Sequence, residues 1–236
     1  MKRAASAVSK GAEPSKKRSR QSASLGRVPG WATLSEGCEV GYFPRADDAH
    51  NCNTLPSLEA ILSEGDFRRH PVRIMGRQVM QPRLVCYMSD DLTHSYTYTG
   101  LTLHPAAWTP TISAIKAHVE RIASCSFNSC LLNYYRNGKD YVSWHADDEK
   151  LYGSEPTIAS YSLGASRDFL FKHKHPPAAS GRSMWGEAVK YTLHAGDVLV
   201  MRGQTQQHWH HSIPKRMLVA EPRVSLTFRT IAQVAK

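Results

Sequence analysis

The stretch NYYRNGKDYVSWHADD, residues Asn133–Asp148, decides the fold, and the rest of the chain is placed relative to it. Leu131–Tyr135 is apolar and aromatic, and Tyr141–His145 is again β-prone, so both segments are predicted strands. Between them, Asn137-Gly138 has the composition of the tight turn that joins two paired strands. The stretch therefore predicts a β-hairpin.

The second strand of this hairpin presents two side chains that can bind a metal ion. His145 and Asp147 are two residues apart, so they leave an extended chain on the same face. The segment HWHHSIP, residues 208–214, offers three candidates for a third ligand: His208, His210 and His211. Two imidazoles and one carboxylate, with the other coordination positions open, form the facial triad of non-haem Fe(II) oxygenases. A His-x-Asp pair alone is also common as surface polarity or as a metal-free catalytic pair.

A pair of arginines in RVSLTFR strengthens the oxygenase interpretation. Arg223 and Arg229 lie an even number of residues apart in a predicted strand, so they share a face. They are about 20 Å apart along the strand. Because a guanidinium binds a carboxylate in bidentate fashion, the two could hold opposite ends of a five-carbon diacid. The alternative is two exposed arginines on an edge strand.

Four motifs now stand in order along the chain: N-x-Y-x-x-G, H-x-D, H-S-x-P and R-x-x-x-x-x-R. Their residues are Asn133, Tyr135 and Gly138; His145 and Asp147; His211, Ser212 and Pro214; and Arg223 and Arg229. From about Pro71 to Thr230 the chain resembles the AlkB family of Fe(II)/2-oxoglutarate-dependent dioxygenases, in particular its eukaryotic DNA-repair homologues. No single motif is specific, but the ordered combination is.

The resemblance implies a mainly β fold with flanking helices, in the α+β class. We expect residues 28–236 to form one domain, with a nucleotide-recognition lid at about 66–105. A double-stranded β-helix, or jelly-roll, core is expected at about 127–232. The residues agree, because the β-prone segments in this part of the chain number seven or eight, as a jelly roll requires.

The resemblance also assigns the cofactors. It selects His211 as the third ligand, so that Fe(II) is held by His145, Asp147 and His211. The residues expected to orient the cosubstrate 2-oxoglutarate are Asn133, Tyr135, Arg223, Ser225, Thr227 and Arg229. The sequence departs from the family pattern at Ser225, where the family has Asn, and a hydroxyl has a shorter reach than an amide.

The segment FRRHPVRIMGRQVMQPR, residues 67–83, has five arginines and no acid, with Ile74-Met75-Gly76 as a predicted hairpin tip. Proteins that bind duplex DNA use arginines to bind phosphates and can insert an exposed apolar side chain between base steps. The pattern of this segment is typical of such binding. The resemblance places Met75 at the intercalating finger of the family. The DNA-contacting candidates are Ile74, Met75, Arg77 and Arg83, and the alternative is an ordinary hairpin with Met75 in the core.

Two further pairs are candidates for binding the base. Tyr96 and Tyr98 share a strand face in YTYTGL, and the resemblance implies that Tyr98, or else Tyr96, stacks on a flipped base. Asp148 and Glu149 match acidic positions that read the base edge, and we prefer Asp148. The alternatives are core aromatics for the tyrosines and a charged turn for the acids.

The function implied by the resemblance is oxidative demethylation of 1-methyladenine and 3-methylcytosine in single- or double-stranded DNA. The products are formaldehyde, succinate and carbon dioxide. Three alternatives stay open: an RNA demethylase with the same chemistry, a non-catalytic module that binds alkylated DNA, and a metal hydrolase on a similar barrel.

Composition limits the remaining possibilities. Residues 1–27 have eight Lys or Arg and one acid, so they contain seven of the ten net positive charges, and we expect a disordered tail. Its cluster at 16–20 is typical of nuclear import, with a mitochondrial presequence as the alternative. Five cysteines without a C-x-x-C pair suit a reducing compartment. We expect a monomer. We also expect no association with membranes, because no apolar run is long enough to span one.

Overall fold

The structure, a computed structural model, describes residues 28–45, 55–93, 95–98, 100–175 and 188–232, with the exception of the Ile74 side chain. The expected disordered tail at 1–27, including its basic cluster, lies outside the described residues. No helix in the described part of the chain is long and apolar enough to span a membrane.

The described residues form three α-helices, one short 3-10 helix (Lys150–Tyr152) and fifteen strands. The α-helices are α1 (Leu58–Glu64), α2 (Pro110–Ala123) and α3 (Thr205–His208). The first seven strands are β1 (Gly30–Ser35), β2 (Cys38–Phe43), β3 (Pro71–Ile74), β4 (Arg77–Met80), β5 (Leu84–Ser89), β6 (Tyr96–Tyr98) and β7 (Leu101–Leu103). The other eight are β8 (Ser129–Tyr135), β9 (Val142–His145), β10 (Ile158–Gly164), β11 (Arg167–His173), β12 (Val189–Leu193), β13 (Val198–Gly203), β14 (Trp209–Ile213) and β15 (Arg223–Arg229).

Strands β8 to β15 form the double-stranded β-helix that the sequence predicts. One sheet has the order β1-β2-β13-β10-β15-β8-β5, and the facing sheet has the order β12-β11-β14-β9. Each sheet thus takes four of the eight core strands, while β1, β2 and β5 extend the larger sheet. Apolar side chains from both sheets, among them Phe171 and Leu199, pack between them. The prediction of a jelly-roll core is therefore confirmed.

The predicted hairpin around Asn137-Gly138 is wrong, because its two strands belong to different sheets. β8 pairs with β15 and β5, whereas β9 pairs with β14. The turn instead pairs with a later loop: the Gly138 N–H donates to the Val219 carbonyl at 2.7 Å, and the Arg216 N–H donates to the Gly138 carbonyl at 2.8 Å. A Cβ at position 138 would overlap the Arg216 carbonyl oxygen, so this crossing between the sheets requires glycine.

Helix α2 covers the outer face of the larger sheet. It begins at the predicted place, because the Thr109 hydroxyl accepts the Ile112 N–H at 3.4 Å and Pro110 occupies the first turn. Ile112, Ile115 and Val119 are buried against the sheet, so α2 braces the strands that bear the site.

Two hairpins, β3–β4 and β6–β7, form separate two-stranded sheets outside the core. The β3–β4 turn consists of Met75 and Gly76, whose φ angles are +48° and +76°, as a type I′ turn requires. Met75 is 99% exposed, so the alternative that placed its side chain in the core is wrong.

Candidate active site

The three predicted metal ligands converge at the end of β9. His145 is the last residue of β9 and is directly opposite His211 of β14, and Asp147 follows in the next segment. Asp147 Oδ1 lies 3.9 Å from His145 Nε2, and Asp147 Oδ2 lies 4.0 Å from His211 Nε2. One ligand atom from each residue lies within 4.8 Å of the others. A single ion can therefore contact all three.

Both imidazoles are arranged to act as neutral ligands. His145 Nδ1 lies 2.9 Å from the Ser143 carbonyl, which can only accept, so Nδ1 holds the proton and Nε2 presents its lone pair. Burial lowers the pKa of His145, and it lowers the pKa of His211 further. Phe169 stacks on the His211 ring at 5.2 Å and limits its orientation.

Asp147 has a dedicated counter-charge. Arg229 Nη2 and Nε donate to Asp147 Oδ2 at 2.8 and 3.2 Å in a buried pair. Burial by itself would raise the pKa of Asp147, but Arg229, with the two histidines, holds it well below its usual value. The carboxylate is therefore anionic, and Arg229 is engaged by a metal ligand rather than standing free for a diacid.

Arg223 lies in a different environment at the other end of β15. Its guanidinium is buried, with Nη2 donating to Ser162 Oγ at 2.9 Å and the Tyr135 ring 5.4 Å away. Its Nε and Nη1 have no hydrogen-bond partner among the described residues. Burial lowers the pKa of Arg223 to about 10. A buried cation with two unused donors fits one carboxylate of an incoming diacid.

A cavity of about 130 Å³ joins the triad to most of the other predicted site residues. The predicted residues that line it, besides the triad, are Arg83, Tyr96, Tyr98, Asn133, Tyr135, Glu149, Ser225, Thr227 and Arg229. Within it, Arg83 Nε donates to Asn133 Oδ1 at 2.6 Å, so Arg83 positions this amide. The structure therefore brings the expected metal ligands and most of the expected cosubstrate and base residues into one space.

The aromatic wall of the cavity contains both predicted tyrosines. The Tyr96 and Tyr98 rings stack at 4.9 Å with an interplanar angle of 22°. Tyr96 is buried, while Tyr98 is partly exposed, and both line the cavity. Gln81 Nε2 donates to the Tyr98 hydroxyl at 2.6 Å and connects this ring to the end of β4. No sequence motif indicates Gln81, because the contact depends on the placement of the hairpin.

The two acids after the triad lie in different places. Glu149 lines the cavity, where its Oε1 accepts from the Tyr96 hydroxyl at 3.1 Å and its buried Oε2 has no partner among the described residues. Burial, followed by the charge of Asp147, raises the pKa of Glu149. Asp148 is outside the cavity and pairs with Lys174 at 2.9 Å. The structure therefore favours Glu149 over Asp148 for a contact with substrate.

The remaining candidates lie outside the cavity. Met75 and Arg77 are exposed on the β3–β4 hairpin, and Arg223 lies behind the cavity wall. The Ile74 side chain is outside the described residues.

The fold and the site together define a class of protein. A double-stranded β-helix with two neutral histidines, one anionic carboxylate and a buried, unsatisfied arginine fits Fe(II) and a dicarboxylate cosubstrate. The model of the family described as 2OG-Fe(II) oxygenase superfamily matches residues 41–229.

Comparison with known proteins narrows this class. The human alpha-ketoglutarate-dependent dioxygenase alkB homolog 3 is 43% identical over 152 residues, covering 64% of this chain and 52% of that protein. Human DNA oxidative demethylase ALKBH2 is 35% identical over 210 residues, covering 88% of this chain and 79% of that protein. A solved structure, "The structure of OsALKBH1", is 18% identical with a TM-score of 0.49, covering 85% of this chain and 99% of that one.

The chain therefore belongs to the AlkB family of 2OG-Fe(II) oxygenases, whose cofactors are Fe(II) and 2-oxoglutarate. It spans about half the length of the alkB homolog 3 proteins that it matches.

Proposed function

We propose that this protein removes methyl groups from ring nitrogens of alkylated bases in DNA. The observation that carries the proposal is a cavity lined both by Tyr96, Tyr98 and Glu149 and by the three metal ligands. A base stacked on an aromatic wall next to an oxidising centre must first leave the duplex stack. The name of one human relative, DNA oxidative demethylase ALKBH2, supports DNA as the substrate.

The chemistry follows from the placement of the groups. When bound, Fe(II) and 2-oxoglutarate supply the dioxygen-dependent oxidation of a C–H bond. The N-methyl group becomes N-hydroxymethyl, whose C–N bond then breaks to release formaldehyde and restore the base. The protein holds the methyl group near the triad, keeps Asp147 anionic through Arg229 and excludes water.

The two arginines take separate roles in this proposal. Arg229 is paired with Asp147, which leaves Arg223 and its two unused donors for the distal carboxylate of 2-oxoglutarate. Tyr135 borders both the cavity and the Arg223 guanidinium. Ser225 and Thr227 lie between the arginines on β15 and line the same cavity, where their hydroxyls can contact the cosubstrate.

We expect Tyr98→Leu to raise KM for a methylated oligonucleotide about 10- to 100-fold, because base stacking contributes about 1–3 kcal/mol. KM for 2-oxoglutarate should stay unchanged. The measurement is steady-state formaldehyde release with each substrate varied in turn. Tyr98→Phe keeps the ring and loses only the hydrogen bond from Gln81, so its effect should be several-fold smaller. Equal KM values for wild type and Tyr98→Leu would exclude the stacking role.

We expect Met75→Ala to lower repair of duplex DNA about tenfold while repair of single strands changes little. Separating two stacked base pairs costs a few kcal/mol, and an inserted apolar side chain offsets this cost. Only the duplex has paired, stacked bases to separate. The assay compares initial rates on the two forms of one oligonucleotide. Val79→Ala is the matched control, because Val79 is 46% exposed on the same hairpin but away from its tip. Equal losses on both forms would remove the wedge role.

The experiment that tests the function is repair of an oligonucleotide with one 1-methyladenine, followed by mass spectrometry. We expect loss of the mass of one CH₂ group only when Fe(II) and 2-oxoglutarate are both present. Unchanged mass with binding retained would favour a non-catalytic DNA-binding module. Succinate release with methylated RNA, and none with DNA, would favour an RNA demethylase.

A further inference from the structure

Helix α3 brings one buried amide side chain against the segment that holds the carboxylate ligand. Gln206 Oε1 accepts the backbone N–H of Asp147 at 3.0 Å. Its Nε2 faces the opposite way and donates to Met201 Sδ at 3.2 Å. Gln206 and Met201 are each 1% exposed and Asp147 is 4% exposed, so bulk water cannot replace these contacts.

The Asp147 peptide depends on this contact because it lies beyond the end of a strand. β9 ends at His145, so the Asp147 N–H is outside the β9–β14 ladder, and Gln206 supplies its acceptor. On the other side, Arg229 holds Asp147 Oδ2. The ligand is thus fixed at two points, its backbone by a neutral amide and its carboxylate by a cation.

Hydrogen bonds hold helix α3 in place. Thr205 Oγ1 donates to the Arg202 carbonyl at 2.7 Å and to the Glu39 carbonyl at 3.2 Å, which ties the start of α3 to β13 and β2. The Gln204 N–H donates to the Gly37 carbonyl at 2.8 Å. These contacts anchor α3 to the larger sheet, so Gln206 connects the larger sheet to a metal ligand that follows the last residue of β9.

We propose that Gln206 is a positioning residue for the iron ligand Asp147, and that it sets metal affinity without touching the metal. The inference rests on the metal site alone and is independent of the proposed DNA substrate. Removing a residue that orients a metal ligand typically lowers the affinity for the metal about 10- to 100-fold. No sequence motif identifies Gln206, because the contact is made only once α3 is folded.

The test is calorimetric titration of the metal-free full chain with Mn(II), without cosubstrate or DNA. Gln206→Met keeps the side-chain length but removes the amide acceptor, and we expect Mn(II) to bind about 10- to 100-fold more weakly. Gln207→Met is the matched control. Gln207 is the next residue of the same helix, is exposed and donates to the Ser154 carbonyl instead. We expect it to bind Mn(II) like wild type.

Further variants separate positioning from packing. Gln206→Glu keeps an acceptor oxygen for the Asp147 N–H, so it should bind Mn(II) within a few-fold of wild type. Equal Mn(II) affinity for wild type and Gln206→Met would overturn the proposal, as would equally weak binding by Gln206→Glu and Gln206→Met. A purely structural role would lower the unfolding temperature of the metal-free protein and leave Mn(II) affinity unchanged.

If Gln206→Met does not fold, Met201→Leu is the alternative variant, because it removes only the other partner of Gln206. It should weaken Mn(II) binding several-fold, and unchanged affinity would overturn the proposal.

Discussion

Replacing Asp147 with alanine is expected to abolish turnover, with succinate formation falling more than about 100-fold. Asp147 is the anionic ligand of the triad, and losing a direct ligand should cost more than the 10- to 100-fold typical of a residue that only orients one. The same change should destabilise the fold by about 3–5 kcal/mol, because it leaves the buried Arg229 cation without its counter-charge. Turnover is measured as succinate release and stability by urea unfolding.

A double variant distinguishes the two effects. Asp147→Ala combined with Arg229→Met removes both buried charges, so much of the lost stability should return. Turnover should stay absent, because the metal still lacks its carboxylate. Asp66→Asn is the surface control: Asp66 forms an exposed ion pair with Arg68, and its loss should change neither quantity. Normal succinate release by Asp147→Ala would contradict the triad.

The sequence predicted seven or eight core strands because apolar patterns and turn residues are local signals. It failed at the Asn137-Gly138 turn for a physical reason. A tight turn specifies that the chain reverses, but it does not specify which neighbour the second strand pairs with. That choice is made by Val219 and Arg216, which pair with Gly138 from about eighty residues away. Long-range pairing of this kind leaves no local pattern.

The triad was predictable and its surroundings were not. The spacing of His145 and Asp147 fixes a shared face, and the family motif selects His211. The opposite placement of Asp148 and Glu149 depends on how the chain leaves β9, which no periodicity describes. The sequence shows two arginines on one face of β15, but the partner of Arg229 follows only from the closure of the two sheets.

The second large effect concerns Arg223. We expect Arg223→Met to raise KM for 2-oxoglutarate at least about 100-fold, because two hydrogen bonds to a charged group contribute about 1.5–3 kcal/mol each. Mn(II) affinity should be unchanged, since Arg223 contacts none of the three ligands. The measurements are 2-oxoglutarate-dependent turnover with the cosubstrate varied, and Mn(II) titration of the metal-free protein. A KM for 2-oxoglutarate close to that of wild type would remove Arg223 from the cosubstrate site.

Arg223→Met should also have an unusual effect on the free energy of unfolding. Without cosubstrate, Arg223 is a buried cation with two donors that have no partner in the part of the chain that the structure describes, an arrangement that costs free energy. Arg223→Met should therefore leave the free energy of unfolding unchanged or raise it by about 1–4 kcal/mol. In wild type, 2-oxoglutarate with Mn(II) should add stability by binding the native state, and the variant should lose that increment.

Arg167 is the matched comparison, because it lies 5.3 Å from the Tyr135 ring, almost the same distance as Arg223. Its terminal N–H groups are already used: they donate to the carbonyls of Asn137, Asp140 and Pro214 at 3.3, 2.7 and 2.8 Å. Arg167→Met therefore leaves three backbone carbonyls without their hydrogen-bond donor and should destabilise the protein even without cosubstrate. The Nε of each arginine lacks a partner among the described residues, but only Arg167 donates to three carbonyls of the chain through its terminal nitrogens. Two buried arginines beside one ring should thus respond in opposite directions.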